Sequence, residues 1–215
     1  DFYNDTSRRT NQVSGSIYRI TRKKGPKPVM PKIDFSTVPG LLQALQNPAV
    51  NVRSHAAAQL VGKGEGATGQ LLAFLRENEK DTNLRSRAVW VLAQLGKQGR
   101  AEVSKYLTAE DEPEKVIVAY RALRHADPKG LLARAHALAE SKFPSVRREV
   151  AVSLKGTSFF GCREALIGLI AGYDGRNRYY LEALGVAFHG KEREVYEQLI
   201  RPLFPKPVEW QWKAK

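Results

Sequence analysis

The sequence predicts an all-α protein: a right-handed α-α superhelix of five helix pairs plus one further helix, preceded by a short extended N-terminal arm. The main observation behind this is a repeat. Aligned on Leu60, Leu92, Leu123, Leu154 and Leu184, the segments NVRSHAAAQL, NLRSRAVWVL, KVIVAYRAL, SVRREVAVSL and RNRYYLEAL place small or aliphatic residues between a polar start and a closing Leu. The leucines follow one another at 32, 31, 31 and 30 residues. A fixed period of about 20–50 residues marks units that bury their apolar faces only against one another. Composition agrees: 42% hydrophobic and 27% charged residues are ordinary for a globular chain. No apolar run approaches the roughly 18–20 residues needed to span a bilayer.

Taken in order, residues 1–36 form the arm, 37–204 the helical array and 205–215 a tail. Residues 1–15 are polar and without period, hence loop. Ser16–Thr21 (SIYRIT) alternates and is rich in β-formers, which predicts one strand. Arg22–Lys32 holds three prolines and five basic residues and reads as a stiff, extended linker. From Thr37 the pattern turns helical. A short helix around Leu41–Leu45 ends at Asn47-Pro48, and Val52–Gly62 follows, closed by Gly62 or Gly64. Thr68 is the expected N-cap of a helix through Leu75, and Leu84–Leu95 completes that pair before Gly96. Ala101–Leu107 precedes the acidic turn Glu110-Asp111-Glu112, and Pro113 opens Glu114–Arg124 from the first helical turn. Asp127-Pro128 is read as cap and first residue for Leu131–Ser141, and Pro144-Ser145 restarts the chain into Val146–Lys155. The fifth pair is Arg163–Ala171 and Tyr179–Phe188, joined at Gly172–Gly175, and Glu192–Leu203 is a last helix with no mate after it. A start at Asp1 instead of Met, one strand without neighbours and that unmatched helix lead to the expectation of a segment from a longer protein.

The net charge is +13. Residues 1–38 hold eight Lys/Arg against three Asp/Glu, and residues 39–189 hold 21 against 15, so the array itself is only mildly basic. Arg53, Arg85 and Arg147 each stand seven residues before a closing Leu. One reading is a ladder of cations for phosphates or an acidic partner. The favoured reading has them bonding turn carbonyls and carboxylates of adjacent units, such as Glu79, Asp81 or Glu112. His55 and Arg87 occupy equivalent positions, expected to face solvent. Histidines at 55, 125, 136 and 189 lack the i, i+4 pairing of a metal site. The single cysteine, Cys162, excludes an internal disulfide or a cysteine cluster and reads as a small buried hydrophobe. No GxSxG, phosphate loop, CxxC or CxxCH is present. Trp90 is expected in the core or on a groove wall, and Trp210 and Trp212 in the tail suggest docking on a neighbour. The segment is expected to be non-catalytic and to need no cofactor.

The VR…A…L second helices resemble HEAT-like repeats of the armadillo-type class, in a short bacterial variety related to the repeats of phycobilisome lyases. Their period here is shorter than the roughly 40–47 residues usual for that class. GSIYRIT (Gly15–Thr21), after DFYND, resembles the closing strand of a sugar-dehydrogenase β-propeller. YDGRNRYYLEALGVAFHGKE (Tyr173–Glu192) is similar to a segment of multidomain proteins of planctomycetes and verrucomicrobia, in which HEAT-like repeats join a propeller dehydrogenase to a c-type haem domain. That resemblance implies an interaction or spacer module within a larger, extracytoplasmic redox protein, with other domains of the parent or a separate protein as partner. The second helices, at 50–62, 83–95, 114–124, 146–155 and 177–188, would line the concave face. The candidate binding residues there are Arg85, Arg87, Trp90, Arg121, Arg124, Arg147, Arg148, Arg178 and Tyr179. Two alternatives stand beside it. One is nucleic-acid binding in the manner of HEAT-like DNA glycosylases, through Arg85, Arg87, Arg121, Arg124, Arg147 and Arg148. The other is a lyase-like subunit handling a tetrapyrrole.

Overall fold

The structure, a computed structural model, describes residues 32–108 and 112–203. The chain divides into two units, Asp1–Lys32 and Ile33–Lys215, and the second is described here. The expected strand Ser16–Thr21, the Pro/Lys-rich linker up to Pro31, Glu110-Asp111 and the Trp210/Trp212 tail lie outside the described residues.

The described residues are all-α, without a strand. In chain order the helices are α1 (Val38–Ala44), α2 (Val50–Lys63), α3 (Thr68–Glu77), α4 (Thr82–Gln94), α5 (Lys97–Ser104), α6 (Pro113–Ala126), α7 (Leu131–Leu138), α8 (Pro144–Ser153), α9 (Phe159–Ala171), α10 (Arg178–Phe188) and α11 (Glu192–Val195). The last runs on through a π-helical turn, Tyr196–Ile200, to Arg201–Leu203.

Local chemistry sets most boundaries. Thr37 caps α1 by accepting from the Gly40 amide, and Asp81 caps α4 by accepting from the Asn83 and Leu84 amides. Prolines begin α6 and α8, where a missing N–H costs nothing. Gly62 does not stop α2. The helix runs to Gly64, whose φ of 63° is a left-handed conformation that a side chain resists. Thr68 is not a cap: a 3₁₀ turn, Gly64–Ala67, feeds straight into α3, and Thr68 is buried as its first residue. Pro128 opens a short 3₁₀ turn, Pro128–Gly130, instead of α7, and α7 stops at Leu138, short of Ser141. Asp127, expected as a cap, has its carboxylate on Arg134 instead (3.0 Å). α9 begins four residues earlier than the pattern suggested, because Ser158 accepts from the Gly161 amide.

Each odd helix packs on the even helix that follows it, and the even helices α2, α4, α6, α8 and α10 contact one another in succession. All five repeat-closing leucines are buried, four of them completely. Two apolar clusters result, and α6 serves both: Ala119, Ala122 and Leu123 belong to the first, Val116 and Tyr120 to the second. Gly99 lets α5 press on α4, since a Cβ there would lie 2.0 Å from the Leu92 carbonyl oxygen.

Polar stitches join successive even helices. Ser153 Oγ donates to the Val150 carbonyl, which leaves it to accept from the Tyr120 hydroxyl at 2.6 Å, and burial pushes that phenol's pKa up. Arg147 engages all three nitrogens of its guanidinium: Nε on the Tyr180 hydroxyl, Nη1 on the Ser141 carbonyl and Nη2 on the Gly172 carbonyl. Lys191, only 3% exposed, donates Nζ to the Leu154 and Ala187 carbonyls at the C-terminal ends of α8 and α10. Helix ends of that polarity hold a cation without a carboxylate.

Candidate functional site

The even helices differ from the other described helices in charge. α2, α4, α6, α8 and α10 carry ten Lys/Arg against three Asp/Glu, an excess of seven. The remaining helical segments, of similar total length, carry nine against seven. α2 and α4 hold no acidic residue at all.

Between these two helices lies an open groove of about 370 Å³. Its base is apolar, from buried Leu45 and Val91 with Ala57 and Trp90. Arg53 and Arg87 line it together with Ser54, Ser86, Asn83 and Gln94, and no carboxylate does. Trp90 is 37% exposed, with His125 of α6 packed against it at 5.7 Å between ring centroids. Both arginines are held in place by one terminal nitrogen. Arg53 Nη1 donates to the Asn47 and Pro48 carbonyls, and Arg87 Nη1 donates to the Leu45 carbonyl at 2.9 Å. Nε and Nη2 of each have no partner among the described residues.

Other sequence-predicted residues behave differently. Arg85 Nη1 donates to the Glu79 carbonyl and lies 3.5 Å from the Glu112 carboxylate, the turn-holding role expected of it. Asp81 is not its partner. Arg121 and Arg124 share the Glu149 carboxylate, at 2.5 and 3.6 Å, and that bond raises the pKa of Arg121. Arg178 pairs with Glu182 on an exposed face of α10, next to Tyr179, which is 70% exposed. Arg148 is half-buried and makes no hydrogen bond or ion pair among the described residues. The nine candidates are therefore not one site. Arg87 and Trp90 share a groove, Arg121 and Arg124 share a counterion, and Arg147 is consumed in packing.

One expectation needs correction. Arg87 does not face solvent freely but lies half-buried with its guanidinium on a carbonyl. Its positional equivalent, His55, is exposed as expected, with its ring edge-on to Phe35 at 4.8 Å. Arg53 takes the turn-carbonyl role expected of it, and its side chain also lines the groove, where the sequence reading had placed no candidate. The absence of any acid from VNVRSHAAAQLVGK and TNLRSRAVWVLAQ is the sequence signal that links Arg53 to Arg87.

Among the described residues, no three His, Cys, Asp or Glu side chains gather as a metal site. No described helix is long and apolar enough to cross a membrane. Cys162 is buried, its thiol donating to the Ser158 carbonyl at 3.1 Å. No protein-family model matches the chain, and no curated protein matches it.

Proposed function

We propose that this chain is a non-catalytic protein-interaction module, built as a HEAT-like α-solenoid and resembling the repeat regions of larger multidomain proteins. Its even helices form the binding face. The succession of contacts from α2 to α10 supports the solenoid reading, because stacked hairpins bring alternate helices side by side. The observation that carries the functional reading is the α2–α4 groove, where an exposed tryptophan and two arginines with unused donors stand without an internal counterion. Exposed aromatics and arginines are the residues over-represented where proteins bind one another.

Nucleic-acid binding draws on the same excess of cations. Of the six arginines that reading relies on, Arg85, Arg121 and Arg124 are neutralised by the chain's own carboxylates, and Arg147 is spent on carbonyls and a phenol. Only Arg87 and Arg148 have neither a carboxylate partner nor all three guanidinium nitrogens engaged, too few for a phosphate track.

A photo-crosslinking amino acid at position 90, and at position 70 on α3 as a control, tests the proposal in extract of the source cells. Protein adducts from position 90 and none from position 70 are expected. Nucleic-acid adducts, or equal labelling from both positions, would contradict it.

A further inference from the structure

Resting on the interaction-module reading, we propose that the α2–α4 groove is a dock for an acidic segment of a partner protein. The segment lays an apolar side chain on Trp90 and sets Asp or Glu carboxylates against Arg53 and Arg87.

Three features select this occupant. The first is unspent charge. Elsewhere along the even helices Arg85, Arg121, Arg124 and Arg178 each sit beside a carboxylate of the chain, whereas nothing acidic lines this groove. Two cations on an apolar base favour an incoming anion, because the low-dielectric wall strengthens their field. The second is preorganisation. Carbonyls at Asn47, Pro48 and Leu45 fix one nitrogen of each guanidinium, and Nε and Nη2 form the fork that a carboxylate accepts from in two parallel bonds. The ordering of two flexible side chains is thus largely complete before binding. The third is the apolar base of Trp90, Val91, Ala57 and Leu45, which has no use in gripping a phosphate backbone but accepts a leucine or phenylalanine side chain. A groove of about 370 Å³ is large enough for one or two such side chains and is open at the surface. Ser54, Ser86, Asn83 and Gln94 supply hydroxyl and amide groups for the backbone of an extended segment.

The test is fluorescence anisotropy of the full chain with a labelled, end-capped peptide of sequence Glu-Asp-Leu-Glu-Glu-Phe-Asp-Glu. Controls are the same peptide with every carboxylate replaced by its amide, the same peptide with Leu and Phe replaced by Ala, a single-stranded oligonucleotide, and free glutarate as competitor. We expect the acidic peptide to bind, and either the amide or the alanine replacement to weaken it by at least about tenfold. An Arg53→Gln/Arg87→Gln double variant and Trp90→Ala should each lose a similar factor, while Arg193→Gln on α11, outside the even helices, leaves binding unchanged. Because Arg53 also holds a turn, a thermal melt accompanies each variant, and the peptide replacements probe the same contacts with the protein intact. The proposal is overturned by equal binding of the amide peptide, by tighter binding of the oligonucleotide in the same salt, by displacement with glutarate alone, or by no binding of the acidic peptide up to about 1 mM. If the peptide fails while crosslinking at position 90 still yields protein adducts, the interaction module stands and only this partner chemistry falls.

Discussion

Two grooves on neighbouring surfaces of the same four helices carry opposite chemistry. The one between α2 and α4 holds Arg53, Arg87 and Trp90 without an acid. The one formed by α1 and α3 is of similar size, about 340 Å³, yet holds Gln43, Gln46, Gln70 and Glu77 without a cation, and its aromatic residue, Phe74, is buried. Packing demands the same of both: apolar residues toward the neighbouring helix, polar ones toward water. The difference between them is therefore not required by the fold. It marks the face proposed here for binding.

The sharpest way to break this comparison is to truncate the aromatic residue of each groove. Phe74→Ala empties core volume and should cost about 3–5 kcal/mol. Trp90→Ala removes a partly exposed ring and should cost on the order of 1–2 kcal/mol. Urea melts of the two variants measure both; equal losses would mean that Trp90 is a core residue and not a groove wall.

A second contrast lies between arginines used for packing and those held ready. Arg147→Ala strands the Ser141 and Gly172 carbonyls and leaves the Tyr180 hydroxyl only its bond to the Leu169 carbonyl, so about 2–3 kcal/mol of stability should be lost. Arg87→Ala gives up a single bond to Leu45 and should cost roughly 0.5–1.5 kcal/mol. Near-equal melts would erase the distinction between them. Of the same size as Arg87→Ala is Tyr120→Phe, which breaks the buried bond to Ser153 and should cost about 1 kcal/mol, seen as a lower urea midpoint at unchanged slope.

The smallest effect concerns the entry to α1. Hydrogen bonds from the Ser36 and Thr37 hydroxyls and the Ser36 amide hold Asp34 at a pKa of about 2, below its ordinary 3.8. A depressed carboxylate stabilises the fold above its unfolded value and loses that contribution as the pH falls through its folded one. Carboxyl NMR of Asp34 should therefore titrate near 2, with the Thr37 cap loosening only below about pH 4. Titration near 3.8 would show that the cluster does not form.

Much of the helical content was legible because it rests on local signals. The closing leucines, Pro113 and Pro144 act within one helical turn of themselves, and the structure places helices at each. Where the reading slipped, a longer-range contact decided. Asp127 carries its own cap signal, but Arg134, seven residues on, takes its carboxylate. Thr68 looks like a cap until the 3₁₀ turn before it removes the need for one. The candidate site was half legible. Periodicity put Arg87 and Trp90 on one helix, but only packing reveals that Arg53 joins them and that Glu149 and Glu112 silence Arg121, Arg124 and Arg85. Counterions lying a full repeat away in sequence leave no trace in a local pattern.

The central claim is that the even-helix groove, and not its neighbour, is the working surface. Amide and indole NMR shifts of the full chain, followed during titration with the acidic peptide, test it most directly. The account predicts saturable shifts at the Trp90 indole, Arg53, Ala57, Arg87 and Val91, with Gln43, Gln70 and Glu77 unmoved. Shifts centred on α1 and α3, or spread evenly over every basic residue, would contradict it.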